Sequence, residues 1–262
     1  MNIMNIMNFF WLFLHYITFP FRVILVFIMM YIIFTCIENT EDEVKINQYR
    51  KLFGKLMLWG FSMDIIIEDE DLIKYNKYLY SDKKMLAVFN HSTMADGFIM
   101  PGIFDKTSVV LLKIRSLPGY SETVNNKLKN IVVEKGKTSK KILDYIENRE
   151  EGDNMLFIAP GSGNTPIIPG NITEFTSKSA FIGKYPIMPV ILKYQDDSLN
   201  HNSDRGESVM HSYLKLFLIK DYKIRVKVLD LIEYEDEETI EEYRDRVYKI
   251  MNNAYKELKI DI

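Results

Sequence analysis

A histidine and an aspartate stand in the segment Asn90-His91-Ser92-Thr93-Met94-Ala95-Asp96-Gly97, and their types suit acid–base chemistry. A carboxylate held against one imidazole nitrogen fixes the tautomer and makes the other nitrogen a better base, able to take a proton from a hydroxyl group. Spacing alone does not make such a dyad, because positions i and i+5 of an ideal helix stand about 140° apart. The two side chains meet only if His91 lies on a non-helical lead-in and Asp96 in the first turn of the helix that follows. Ser92 or Thr93 is expected to cap that turn, and Gly97 to let another backbone come close. The upstream run 85–89 (MLAVF) reads as a strand. The pair then falls just past a strand's carboxyl end, where functional groups gather in open α/β sheets.

The elements that must position this pair alternate. Strands are predicted at 63–68, 85–89, 108–112, 131–134, 155–158, 187–194 and 222–231, with helical patterns between them, for instance at 138–149 and 237–258. Such alternation predicts an α/β domain with a mixed, largely parallel sheet flanked by helices. The acidic run 233–242 reads as the solvated start of the last helix, where carboxylates suit the dipole.

Upstream, residues 9–37 are almost wholly apolar, interrupted by His15, Pro20 and Arg22. A bilayer core needs about 20 apolar helical residues, so this run is expected to enter a membrane. It does so either as one helix kinked at Pro20 or as a helical hairpin turning at 19–21. Its flanks, Arg22 within and Glu38, Glu41, Asp42 and Glu43 after, give the positive-inside rule no vote on orientation. Residues 46–61 carry apolar residues at near-helical spacing, interleaved with lysine and arginine. They suit a helix lying on the lipid surface or packed on the domain. The organisation expected is a membrane-anchoring helical segment over 1–60 and an α/β catalytic domain over 61–262.

Composition removes other classes. The 262 residues are 47% hydrophobic and 26% charged, enough for a substantial core. With 33 basic against 36 acidic residues and a net charge of −3, the chain lacks the basic excess of a dedicated nucleic-acid binder. Its single cysteine, Cys36, sits in the apolar run and excludes both an internal disulfide and a thiolate metal cluster. His15, His201 and His211 show no metal-ligand spacing. Gly136-Lys137-Thr138 imitates a phosphate loop, but Ile131 stands where that loop needs glycine. Ser162 imitates a hydrolase elbow, but Pro160 and Asn164 occupy the flanking glycine positions.

The segment 90–97 resembles the H-x4-D block of the glycerolipid acyltransferases, the family that includes lysophosphatidic acid and lysophosphatidylcholine acyltransferases. Other stretches agree in order over roughly residues 19–194. FPFRVILVFIMMYIIF is similar to the membrane segment before the lysophosphatidylcholine-type domain. IVVEKGKTSKKILDYI stands where the family has a strand, a basic residue and a helix. MLFIAPGSGNTP takes the place of the Phe-Pro-Glu-Gly-Thr block, and FTSKSAFIGKYPIMPVILKY resembles the lipid-site block ending in a Pro-Val strand. The resemblance implies acyl transfer from acyl-CoA, as co-substrate, to a hydroxyl of a lysophospholipid or related glycerolipid. His91 would be the general base and Asp96 its orienting group, with no acyl-enzyme and no metal or other cofactor. Lys135 would fall on the family's phosphate-pairing basic residue. A membrane location is expected with it, of the endoplasmic-reticulum type if the protein is eukaryotic or host-expressed, with the catalytic domain on the cytosolic side. The chain departs from the family at Gly161, where a glutamate is associated with holding the acceptor. The amides of Gly161, Ser162, Gly163 and Asn164 could form an anion-binding nest instead. The alternative reading is a membrane-anchored lipid-binding or scaffold protein that keeps the fold without turnover.

Overall fold

The computed structural model describes residues 3–111, 119–133, 138–161, 168–199 and 209–260. The apolar N-terminal run forms one helix, α1 (Ile3–Glu38), unbroken through Pro20, so the hairpin alternative does not form. Its second half docks on the domain through Val26, Met30, Ile33, Phe34 and Ile37, a buried stripe at helical spacing. The other face, with Phe21, Ile24, Leu25, Ile28, Tyr31 and Ile32, is exposed. By length and composition α1 is, among the described residues, the helix that could cross a membrane.

Helix α2 (Glu43–Gly60) starts at Asp42, whose carboxylate accepts the Val44 and Lys45 amides. It packs on the domain: Ile46, Phe53, Met57 and Leu58 enter the core, while Leu52 and Trp59 stay exposed. The chain continues as β1 (Met63–Ile67), α3 (Asp69–Leu79), β2 (Leu86–Phe89), α4 (Asp96–Ile103), β3 (Thr107–Leu111) and α5 (Glu122–Lys127). Then come β4 (Ile131–Val132), α6 (Thr138–Glu147), β5 (Met155–Ile158), β6 (Ile187–Tyr194), α7 (Val209–Leu218), β7 (Tyr222–Val228) and α8 (Ile240–Glu257).

Among the described residues the strands make one seven-stranded sheet in the order β1-β7-β6-β2-β5-β3-β4. Strands β6, β2, β5, β3 and β4 are mutually parallel; β7 meets β6 antiparallel, and β1 runs parallel to β7. The sheet is therefore mixed and largely parallel, with helices on both faces. Central β2 is buried throughout. Its alternate residues serve two cores: Ala87 and Phe89 pack with α1, α2 and α4, whereas Leu86 and Val88 pack with α6 and α8. A chain of aromatic contacts, Phe34–Phe53, Phe53–Phe98, Phe98–Phe61 and Phe61–Phe217, ties α1, α2, α4 and α7 together.

The C-terminal region departs from its sequence expectation. Helix α8 begins later than 237 because Thr239 caps it: its hydroxyl accepts the Glu242 amide and the Glu242 carboxylate returns to the Thr239 amide. The acidic residues ahead of that cap pair with cations instead, Glu233 with Lys83 and Glu235 and Glu238 with Arg246. The last strand stops at Val228, where its pairing with β6 ends at Val190.

Candidate active site

Beyond the carboxyl end of β2 the backbone leaves the sheet at Asn90, and helix α4 begins only at Asp96. His91 therefore lies on a non-helical lead-in and Asp96 in the first helical turn, the arrangement that lets an i, i+5 pair converge. His91 Nδ1 and Asp96 Oδ2 are 2.6 Å apart. The same oxygen accepts the backbone amides of Ser92 at 2.7 Å and Thr93 at 3.0 Å. The cap expected from Ser92 or Thr93 does not form. The N-cap position is Ala95, without a side-chain cap bond. The Thr93 hydroxyl accepts the Ala95 amide inside the turn, and it is the Asp96 carboxylate that folds back to satisfy the lead-in amides. A negative charge there also suits the positive end of the helix dipole. Gly97 is likewise not a point of close approach, since a Cβ on it would meet nothing within 4 Å.

Asp96 is fully buried. A buried carboxylate is costly unless its lone pairs are filled, and here both oxygens are occupied. Oδ1 accepts the Tyr194 phenol and lies 3.2 Å from the Thr93 hydroxyl. Tyr194 ends β6 and is itself buried. Burial first, and the charge of Asp96 second, push its phenol well above the ordinary tyrosine range, so it remains a protonated donor. The His91 side chain, by contrast, is 33% exposed. With Nδ1–H given to Asp96, Nε2 holds a free lone pair, and it makes no hydrogen bond to a described residue.

Parallel strands put their carboxyl ends on one edge of a sheet, and the neighbours of β2 are β5 and β6. The site is consequently assembled from three distant segments. On the β5 side, Gly161 pairs with Phe175 in an antiparallel bridge. Thr173 lies between Gly161 and His91: its hydroxyl donates to the His91 carbonyl at 3.0 Å, and its methyl would stand 3.1 Å from a Cβ on Gly161. On the β6 side, the Asn90 side chain continues the strand pairing, donating to the Leu192 carbonyl at 2.9 Å and accepting the Leu192 amide at 2.8 Å. Asn90 is fully buried, and these two bonds satisfy its amide.

The structure thus gathers His91, Asp96 and Gly161. Lys135, Ser162, Gly163 and Asn164 lie outside the described residues. Tyr194, Thr173 and the Asn90 clamp escaped sequence reasoning. The available signal for Tyr194 was a tyrosine closing the apolar strand IMPVILKY, but its target follows only from β6 lying beside β2.

Residues 72–193 match the family model described as Acyltransferase. No curated protein matches the sequence. Among solved structures, this chain is similar to the crystal structure of PlsC, the 1-acyl-sn-glycerophosphate (LPA) acyltransferase of Thermotoga maritima. The TM-score is 0.64 at 18% identity, over 95% of this chain and 98% of the bacterial one, a likeness of fold.

Proposed function

We propose that this chain, whose residues 72–193 match the Acyltransferase family model, is a membrane-bound O-acyltransferase. It would move a fatty acyl group from acyl-CoA to a hydroxyl of a lysophospholipid or glycerol phosphate lipid. The observation that carries the reading is the 2.6 Å His91–Asp96 contact, with the ring partly open at the carboxyl edge of the central strand.

In the proposed reaction Nε2 of His91 takes the proton of the acceptor hydroxyl as its oxygen attacks the thioester carbonyl. A C–O bond forms, the tetrahedral intermediate collapses, and the C–S bond breaks. The departing thiolate takes the proton back from the imidazolium, and Asp96 holds the ring throughout. No protein nucleophile is needed, so no acyl-enzyme forms. Lys135 and the amides of Gly161, Ser162, Gly163 and Asn164 are the groups proposed to receive phosphate. PlsC is named for a 1-acyl-sn-glycerophosphate acceptor, and a lysophospholipid of that class heads the panel to be tried.

The exposed apolar face of α1, opposite its docked stripe, supports attachment of the domain to lipid, where lysolipids partition. We assign lipid attachment to α1 within the 1–60 segment; α2, the rest of that segment, packs into the core of the catalytic domain at 61–262.

The test is incubation of purified protein with labelled acyl-CoA and a panel of lysolipids. Transfer that disappears in His91→Ala with the fold intact supports the enzyme. Acceptor binding without transfer supports instead the lapsed lipid-binding scaffold, for which the glycine at 161 is the favouring observation.

A further inference from the structure

We propose that Tyr194 is a positioning residue of the dyad: from the end of β6 its phenol pins one oxygen of Asp96 so that the other stays aimed at His91. The inference rests on the acyl-transfer reading of the site but is tested separately from it.

A carboxylate turns easily about its last torsion, which is broad and roughly two-fold. Donors on Oδ2 alone, here His91 Nδ1 and the amides of Ser92 and Thr93, fix that oxygen and not the plane of the group. The plane is set by what holds Oδ1. Two hydroxyls are within reach, Tyr194 and Thr93. The Thr93 hydroxyl has a single proton, lies 3.2 Å from both Asp96 Oδ1 and the Tyr194 oxygen, and already accepts the Ala95 amide. Tyr194 is the donor that Oδ1 does not share with another acceptor.

The phenol is itself delivered with accuracy. The Asn90 side chain holds the backbone of Leu192 through both its amide and its carbonyl, and Leu192 and Tyr194 point into the same core. The residue directly before His91 therefore clamps the strand end that holds Asp96. One rigid loop of bonds runs from Asn90 through β6 and Tyr194 to Asp96 and back to His91. The Tyr194 ring also packs near Tyr222, with centroids 6.4 Å apart, and the Tyr222 phenol is spent on Asp196.

The experiment compares Tyr194→Phe with Tyr222→Phe in the full-length protein. The readouts are kcat and KM for acyl transfer and the downfield proton resonance of the His91 Nδ1–H···Asp96 bond, assigned by its loss in His91→Ala. Positioning predicts that Tyr194→Phe broadens that resonance or shifts it upfield. It also lowers kcat roughly 10- to 100-fold with KM nearly unchanged, because misorientation acts on the transition state. Tyr222→Phe keeps both. A Tyr194→Phe protein whose resonance and kcat match wild type overturns the inference, and so do equal losses in the two variants, which mark a packing role. Should Tyr194→Phe fail to fold, the phenolic proton in wild type labelled on tyrosine decides the matter: slow exchange and a downfield position support the bond, and rapid exchange overturns it. Absence of transfer in wild type sinks the acyl-transfer reading, whereas the resonance comparison still judges Tyr194.

Discussion

Gly54 of α2 and Gly102 of α4 meet backbone to backbone: a Cβ on Gly54 would lie 2.2 Å from the Gly102 nitrogen. Helix α4 carries Asp96 in its first turn, so this crossing sets where the dyad's carboxylate stands. Gly54→Ala is expected to destabilise the fold by about 3 kcal/mol, since neither backbone can yield, and to lower any transfer activity with it. Gly97→Ala, one residue past Asp96 with open space at its Cβ, should leave stability unchanged or raise it by up to about 1 kcal/mol. Thermal melting of the two variants checks the contrast; a Gly54→Ala protein as stable as wild type would refute the tight crossing.

The two members of the dyad differ in what they hold together. His91→Ala removes a half-open ring and should leave the melting temperature near wild type while transfer falls about 100- to 10,000-fold. Asp96→Asn replaces one acceptor oxygen of a fully buried group by a donor, against the Ser92 and Thr93 amides or the Tyr194 phenol. It is expected to lose activity and also about 2 kcal/mol of stability. Full turnover in Asp96→Asn would remove the carboxylate from the mechanism.

Alkaline pH should unfold the protein through its buried phenols. Burial foremost raises the ionisation of Tyr75, Tyr194 and Tyr243 above the ordinary tyrosine range near 10. Above that pH the unfolded chain releases phenolic protons that the folded chain keeps. The stability present below pH ~10 is then lost by up to about 1.4 kcal/mol per pH unit for each such phenol. Tyr75→Phe, which gives up the bond to the Asp105 carbonyl at 2.6 Å, should flatten that slope. Denaturant midpoints at pH 8 and 11 measure it, and a midpoint equal at both values would contradict the expectation.

Attachment to lipid should depend on one face of α1. Ile24→Lys and Ile28→Lys alter exposed positions opposite the docked stripe. Each is expected to weaken flotation with phospholipid vesicles at least about tenfold, from the loss of one buried isoleucine side chain, while melting is unaffected. Undiminished flotation of the double variant would exclude that face as the lipid contact.

Local pattern made much of this legible. Alternating apolar strands and amphipathic helices implied the mixed, largely parallel sheet, and a His91–Asp96 contact at that spacing required a lead-in followed by a helix, without the spacing itself dictating one. Both follow from contacts close in the chain, where period and backbone geometry dictate which side chains share a face. The helix boundary at Thr239 was also written locally, in a Thr–Glu capping box, although the acidic run around it obscured the start.

What the sequence determined by itself was the pair that could do chemistry and the strand end on which it sits. Tertiary structure alone decided that Tyr194 reaches Asp96 across 98 residues of chain, that Gly54 meets Gly102, and that α1 is one helix with a docked face. Those contacts depend on strand order and helix crossing. Side-chain periodicity specifies which face of an element is buried and leaves open which neighbour buries it.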